Sequence, residues 1–201
     1  MRCAGLRRLR LPNGSSRPHL LTVPIQDDYF TLFGLPARFA IDSVALGDAY
    51  KRVQAQVHPD RFAAATAAER RVAMQWAARA NEAVQTLRSP VRRAAYLCEQ
   101  NGVSIEAESN TAMPGAFLAQ QMQWREELDE VRSSADGERL PGLTDDVAQV
   151  SARTLAQLET ALDREHDYRA AAALVRQLMF IERFTDELGG LAGAPNAERT
   201  D

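Results

Sequence analysis

Two helical repeats of apolar residues, cut apart by a proline, constrain this chain more than any other feature. Leu46, Ala49, Tyr50, Val53 and Val57 recur at the intervals that line one face of an α-helix. Pro59 stops the repeat, because a proline drives the residue before it, His58, out of the α region. A second stripe runs through Ala73, Trp76, Ala77, Ala80, Val84 and Leu87. The two stripes predict antiparallel helices joined at His58-Pro59-Asp60. Start and stop signals agree. Asp42 is placed to cap the first helix, and Thr66 with Glu69 three residues on forms a capping box for the second. Ahead of them, residues 28–33 read as a short apolar helix ended by Gly34 and Pro36. Behind them, Ser89-Pro90 opens a fourth helix that stops at Gly102.

Beyond residue 113 three further helices are expected, at 114–133, 144–165 and 167–188, with Pro141-Gly142 breaking the first link. Short links between them predict an up-down-up bundle. Strand formers are sparse beside Ala, Leu, Arg, Gln and Glu, so the fold class is all-α. With 45% apolar and 25% charged residues the chain reads as globular. No apolar run approaches the roughly 18 residues that a membrane span needs, and none is expected. The predicted organisation is a disordered basic extension at 1–26, a first domain at 27–102, a linker at 103–113, a three-helix domain at 114–188 and a disordered tail at 189–201.

Charge narrows the partners. The net −3 hides +5 on residues 1–26 and −9 on residues 104–188. An acidic C-terminal half repels phosphate backbones, which argues against nucleic acid. Cys3 and Cys98 are the only cysteines, too few for a disulfide framework or a cysteine-based zinc site, and Cys98 reads as a small buried thiol. His19, His58 and His166 are scattered, with no nucleophile and base at motif spacing and no Gly-rich phosphate loop. Neither catalysis nor a cofactor or metal is therefore expected. The Arg-rich, acid-free first residues have the composition of a mitochondrial transit peptide. Lys51 is the single lysine against twenty-three arginines, which points instead to high-GC bacterial coding. The expected location is the bacterial cytoplasm, or the mitochondrial matrix if the extension is a transit peptide.

His58-Pro59-Asp60 between two such helices resembles the loop of the J domain, and the likeness continues through Asn81-Glu82-Ala83, Leu87, Pro90, Arg93 and Tyr96. Proline makes the loop stiff, so little entropy is lost on docking. Asp60 offers a carboxylate suited to an arginine on a partner. The resemblance implies that this aspartate engages the nucleotide-binding domain of a DnaK-type ATPase chaperone. Lys51, Arg52 and Arg61 would add positive charge toward an acidic partner face.

The resemblance narrows to a particular kind of J-domain protein. Residues 29–38, Tyr-Phe-Thr-Leu-Phe-Gly-Leu-Pro-Ala-Arg, resemble the start of HscB-type iron–sulfur co-chaperones, as do Thr86-Leu87-Arg88-Ser89-Pro90, residues 93–97 and residues 125–130. The family resemblance implies an L-shaped molecule. Its J domain would stimulate a chaperone of the HscA type, and its three-helix bundle would hold the cluster scaffold IscU.

A helical wheel independently marks a second face. Phe117, Trp124, Leu128 and Val131 fall within about 60° of one another, while Leu118 and Met122 lie roughly 110–150° away. On the last helix Ala171, Leu174, Leu178 and Ile181 form the main stripe, and Phe180 is expected to project nearly opposite. The resemblance makes Leu118, Met122 and Phe180 the apolar anchors for the scaffold and Glu126 its acidic edge. Ala119, Gln120 and Gln123 depart from the family pattern, which has a larger apolar residue and two glutamates there. The alternative function is a J-domain adaptor that recruits a DnaK-type chaperone to a different client.

Overall fold

The computed structural model describes residues 28–62, 65–105, 113–134 and 139–192. The expected basic extension, Cys3 and His19 lie outside the described residues. Seven α-helices are described: α1 (Tyr29–Phe33), α2 (Ser43–Val57), α3 (Ala67–Arg88), α4 (Pro90–Gln100), α5 (Gly115–Ser134), α6 (Leu140–Glu159) and α7 (Tyr168–Ala192). No strand occurs among the described residues.

The first four helices start where their side chains satisfy the free N–H groups of a helix end. The carboxylates of Asp28 and Asp42 accept from the first-turn amides of α1 and α2. Thr66 and Glu69 form both halves of a capping box, and the Ser89 hydroxyl accepts from Arg92 N at 3.2 Å. Gly34 ends α1 at φ +66°, a left-handed conformation that glycine enters without a Cβ penalty. α2 and α3 run antiparallel. The Tyr50 hydroxyl, mid-α2, donates to Asn81 Oδ1 at 2.7 Å, while Val57 at the end of α2 faces Ala73 near the start of α3.

Three boundaries differ from expectation. Pro141 and Gly142 do not break a link; they lie in the first turn of α6, which begins at Leu140. A proline there loses no helical hydrogen bond, since first-turn amides have no intrahelical acceptor. The same helix was expected to run to residue 165, but Thr160–Glu165 is a π-helical turn that ends at His166, whose φ is +53°. Finally, α7 continues through Gly189 and Gly190 to Ala192, where a tail was expected, because Leu188 is buried and Leu191 packs on the core. Residues 193–201 lie outside the described residues.

One continuous apolar core joins the two halves. Its bridge is α4 packed on α7, with Leu97 and Cys98 buried on one side and Ala171, Ala172 and Val175 on the other. Ile105, expected to belong to a linker, is buried in this core, and its carbonyl accepts from Arg176 Nη1 at 3.2 Å. Cys98 is the small buried thiol the sequence suggests, and burial pushes its pKa up to about 11. Val147 and Leu158 of α6 and Trp124 and Leu128 of α5 complete the core of the second half, with the Trp124 indole N–H donating to Asp146 at 2.7 Å.

Candidate functional site

The loop after α2 is short and open. Pro59 leaves His58 extended (ψ 135°), as expected, and residues Pro59–Phe62 then close one 3₁₀ turn with Arg61 N donating to His58 O at 3.0 Å. Phe62 is buried and anchors the turn from below. Arg61 folds back so that its guanidinium donates to Ala55 O at 3.2 Å. His58 Nδ1 accepts from Asp60 N at 3.3 Å and lies 3.5 Å from the Asp60 carboxylate. The Asp60 side chain is 89% exposed, so the loop presents a carboxylate to solvent on a backbone whose conformation is already set.

The expected cations gather behind it. Ala55, to which Arg61 bonds, lies three and four residues after Arg52 and Lys51, which puts all of them on one face of α2. Lys51 and Arg52 are exposed, and Lys51 pairs with Asp48 at 3.3 Å. Two cations on the neighbouring helix were missed. Arg70 and Arg71 of α3 line a shallow groove of about 420 Å³ with Val57, Phe62 and the exposed Met74. They stand outside the stripe that reveals α3 in the sequence, and only the folding of Phe62 under the loop brings them beside it.

The second face lies on α5 and α7. Leu118, Met122 and Glu126 follow one another at four-residue spacing along the outer side of α5, with Leu118 44% and Met122 64% exposed. Phe117, Trp124, Leu128 and Val131 point the other way and are buried. Phe180 does not project opposite the core as expected. It is half-buried, edge-on to Phe117 at 5.9 Å and stacked on Phe184 at 6.1 Å. The wheel failed because α7 has neighbours on several sides: its buried residues run from Ala172 through Val175, Leu178 and Ile181 to Phe184, an arc of about 240°, and Phe180 sits at its edge. Arg125 lies over both rings, 6.0 Å from Phe180 and 5.1 Å from Phe184. Glu187 holds Arg125 at 2.6 Å and Arg132 at 2.7 Å, and these guanidiniums, Arg132 foremost, hold its carboxyl below the usual range. Phe180 therefore joins the α5 face as part of an ordered seam. Gln123 donates to Glu127 at 2.9 Å, and Glu126 is exposed.

Among the described residues the remaining titratable groups do not converge into a catalytic array. His166 Nδ1 lies 2.9 Å from Leu162 O, and among the described residues no three His, Cys, Asp or Glu side chains converge as metal ligands. No described helix is long and apolar enough to cross a membrane.

A co-chaperone protein HscB homolog from Bordetella petrii is 56% identical to this chain over 162 residues, 81% of this chain and 94% of the relative. The chain belongs to the HscB co-chaperone family. A homolog of the same name from Burkholderia vietnamiensis shares 52% over 167 residues, covering 83% of this chain and 95% of its own. The profile described as the HscB C-terminal oligomerisation domain matches residues 113–189, which takes in α5, α6 and most of α7. Chaperone HscB from Vibrio cholerae has the same fold, with a TM-score of 0.73 at 36% identity over 83% of this chain and 98% of that one. Human co-chaperone HscB shares the fold at a TM-score of 0.77 and 22% identity, over 84% of this chain and 83% of that one. HscB membership gives the chain a co-chaperone role, with a J domain ahead of the C-terminal bundle.

Proposed function

We propose that this chain stimulates the ATPase of a DnaK/HscA-type chaperone and delivers an IscU-type iron–sulfur scaffold to it in the bacterial cytoplasm. Residues 27–102 are the docking unit and residues 114–188 the scaffold holder. The observation that carries the reading is the Asp60 carboxylate, 89% exposed on a turn pinned by Phe62 and Arg61. A preset, solvated carboxylate is suited to bidentate pairing with a partner arginine, because little ordering entropy is lost when it docks. His58 and Pro59 shape that turn, and Lys51, Arg52 and Arg61 carry the charge that draws an acidic surface toward it. On the other half, Leu118 and Met122 are apolar side chains left in water, Phe180 borders them, and Glu126 supplies the acidic edge. The proposed activity is one of binding rather than catalysis.

The test is single-turnover ATP hydrolysis by the cognate chaperone. Asp60→Asn should abolish stimulation while the circular dichroism spectrum and melting temperature stay those of the parent. A folded Asp60→Asn variant that stimulates normally refutes the docking role. Recovery of some other client, without the scaffold, from the native cell would replace scaffold delivery by the adaptor reading.

A further inference from the structure

The seam between the two halves holds a carboxylate that the functional reading does not use. Most of that seam is α4 on α7, apolar and lined by small residues such as Ala171 and Ala172. The apolar driving force has no preferred direction, so the angle between the two bodies rests on side-chain interdigitation and on whatever directional bonds cross the seam. Asp163 adds direction. Its side chain is 7% exposed, and its two oxygens accept from Phe39 N at 2.6 Å and Ala40 N at 2.9 Å, both in the loop between α1 and α2. Arg38 reaches the same carboxylate at 3.5 Å. Arg93, buried in α4 with its guanidinium 5.0 Å from the Phe39 ring centroid, adds a second positive charge that acts on it.

The backbone is distorted where it carries this residue. Asp163 lies in the π turn Thr160–Glu165, which widens the end of α6, and His166 follows in a left-handed conformation that a non-glycine residue adopts at some cost. A regular helical turn would aim residue 163 differently. Such local strain persists where the surrounding structure over-determines it, and here the surrounding structure is the Arg38-Phe39-Ala40 segment of the other half.

We propose that Asp163 is a positioning residue that fixes the angle between the J domain and the three-helix bundle, and so sets where a client held on α5 and α7 stands relative to the His58-Pro59-Asp60 loop. This inference rests on the two-partner reading above. Removing the carboxylate should leave each surface intact and loosen the link between them. The variants are Asp163→Ala and, should that fold poorly, Asp163→Asn, which keeps one acceptor oxygen and the side-chain size. In a Cys3→Ser background, spin labels at Ala78→Cys on α3 and Ala152→Cys on α6, both exposed, report the distance across the seam, while buried Cys98 stays unlabelled. The parent should give one narrow distance distribution and the variants a broad one. Chaperone stimulation without scaffold and calorimetric scaffold affinity should both match the parent. The extra stimulation seen with scaffold present should fall by roughly fivefold or more, the low end of coupling between two sites. A narrow, unshifted distribution in a folded variant overturns the lock, and so does a broad distribution with full cooperative stimulation. A parent that gives no stimulation at all sinks the functional reading instead, and the distance measurement then decides the lock by itself.

Discussion

Replacing Phe180 by alanine separates two accounts of the α5–α7 face. If Phe180 were a free surface anchor, its loss would cost about 0.5 kcal/mol or less, as exposed positions usually do. The structure packs it edge-on to Phe117 at 5.9 Å and face to face with Phe184 at 6.1 Å, with Arg125 alongside. A fully buried Phe→Ala change costs about 3–5 kcal/mol. Phe180 is half-buried, so roughly half of that, about 2 kcal/mol, is expected, with its ring contacts contributing part. For a domain of this size about 2 kcal/mol lowers the melting temperature by about 4–8 °C. Leu118→Ala and Met122→Ala, at positions 44% and 64% exposed, should each stay within about 0.5 kcal/mol of the parent. Scaffold affinity in calorimetry should fall more than tenfold in the Leu118→Ala, Met122→Ala double variant, a loss above about 1.4 kcal/mol. Thermal or urea melts of the three single variants decide the matter. A Phe180→Ala melt as close to the parent as that of Leu118→Ala refutes the packing argument. An undiminished affinity in the stable double variant removes the scaffold from this face.

Three further outcomes follow from charge and burial. Chaperone association should slow as salt rises, and Arg52→Glu should lower the association rate more than it raises dissociation, measured by stopped flow at several ionic strengths. Because burial raises the Cys98 pKa from 9.0 to about 11, its stabilising effect is whole below pH 9 and is lost as pH rises toward 11; urea melts across that range should show a steeper decline for the parent than for Cys98→Ala. Glu187 has the opposite sign: its pKa is depressed, so its contribution is present above the ordinary carboxylate value of 4.5 and is lost as pH falls through the lower folded value. Glu187→Gln should therefore be less stable than the parent at pH 7, and the gap should close in acid.

What could be read from the sequence was what depends on neighbours in the chain. Asp42, Thr66 and Ser89 cap helices through atoms two or three residues away, and Pro59 restricts His58 through its own ring, so each could be read before any fold was known. The α5 stripe was legible for the same reason, since that helix buries one face only. The errors arise where a residue's environment comes from elsewhere. Pro141 resembled a break because its place in the helix was unknown; as a first-turn residue it breaks nothing. Phe180 looked free because a wheel assumes one buried stripe, whereas α7 is packed from several sides.

The Asp163 contact shows the limit most sharply. Phe39 and Ala40 lie 124 and 123 residues from it in the chain, and the interaction uses their backbone amides, which carry no residue identity. The π turn that aims the carboxylate leaves no periodic signature either, since a single widened turn shifts the register by one residue at a helix end, where apolar spacing is already lost. Local chemistry can therefore point to both of the surfaces proposed to meet partners and still be silent on the angle between them. On the proposed reading a few directional bonds across an otherwise apolar seam help to set that angle, and two surfaces acting on one complex would depend on it as much as on their own residues.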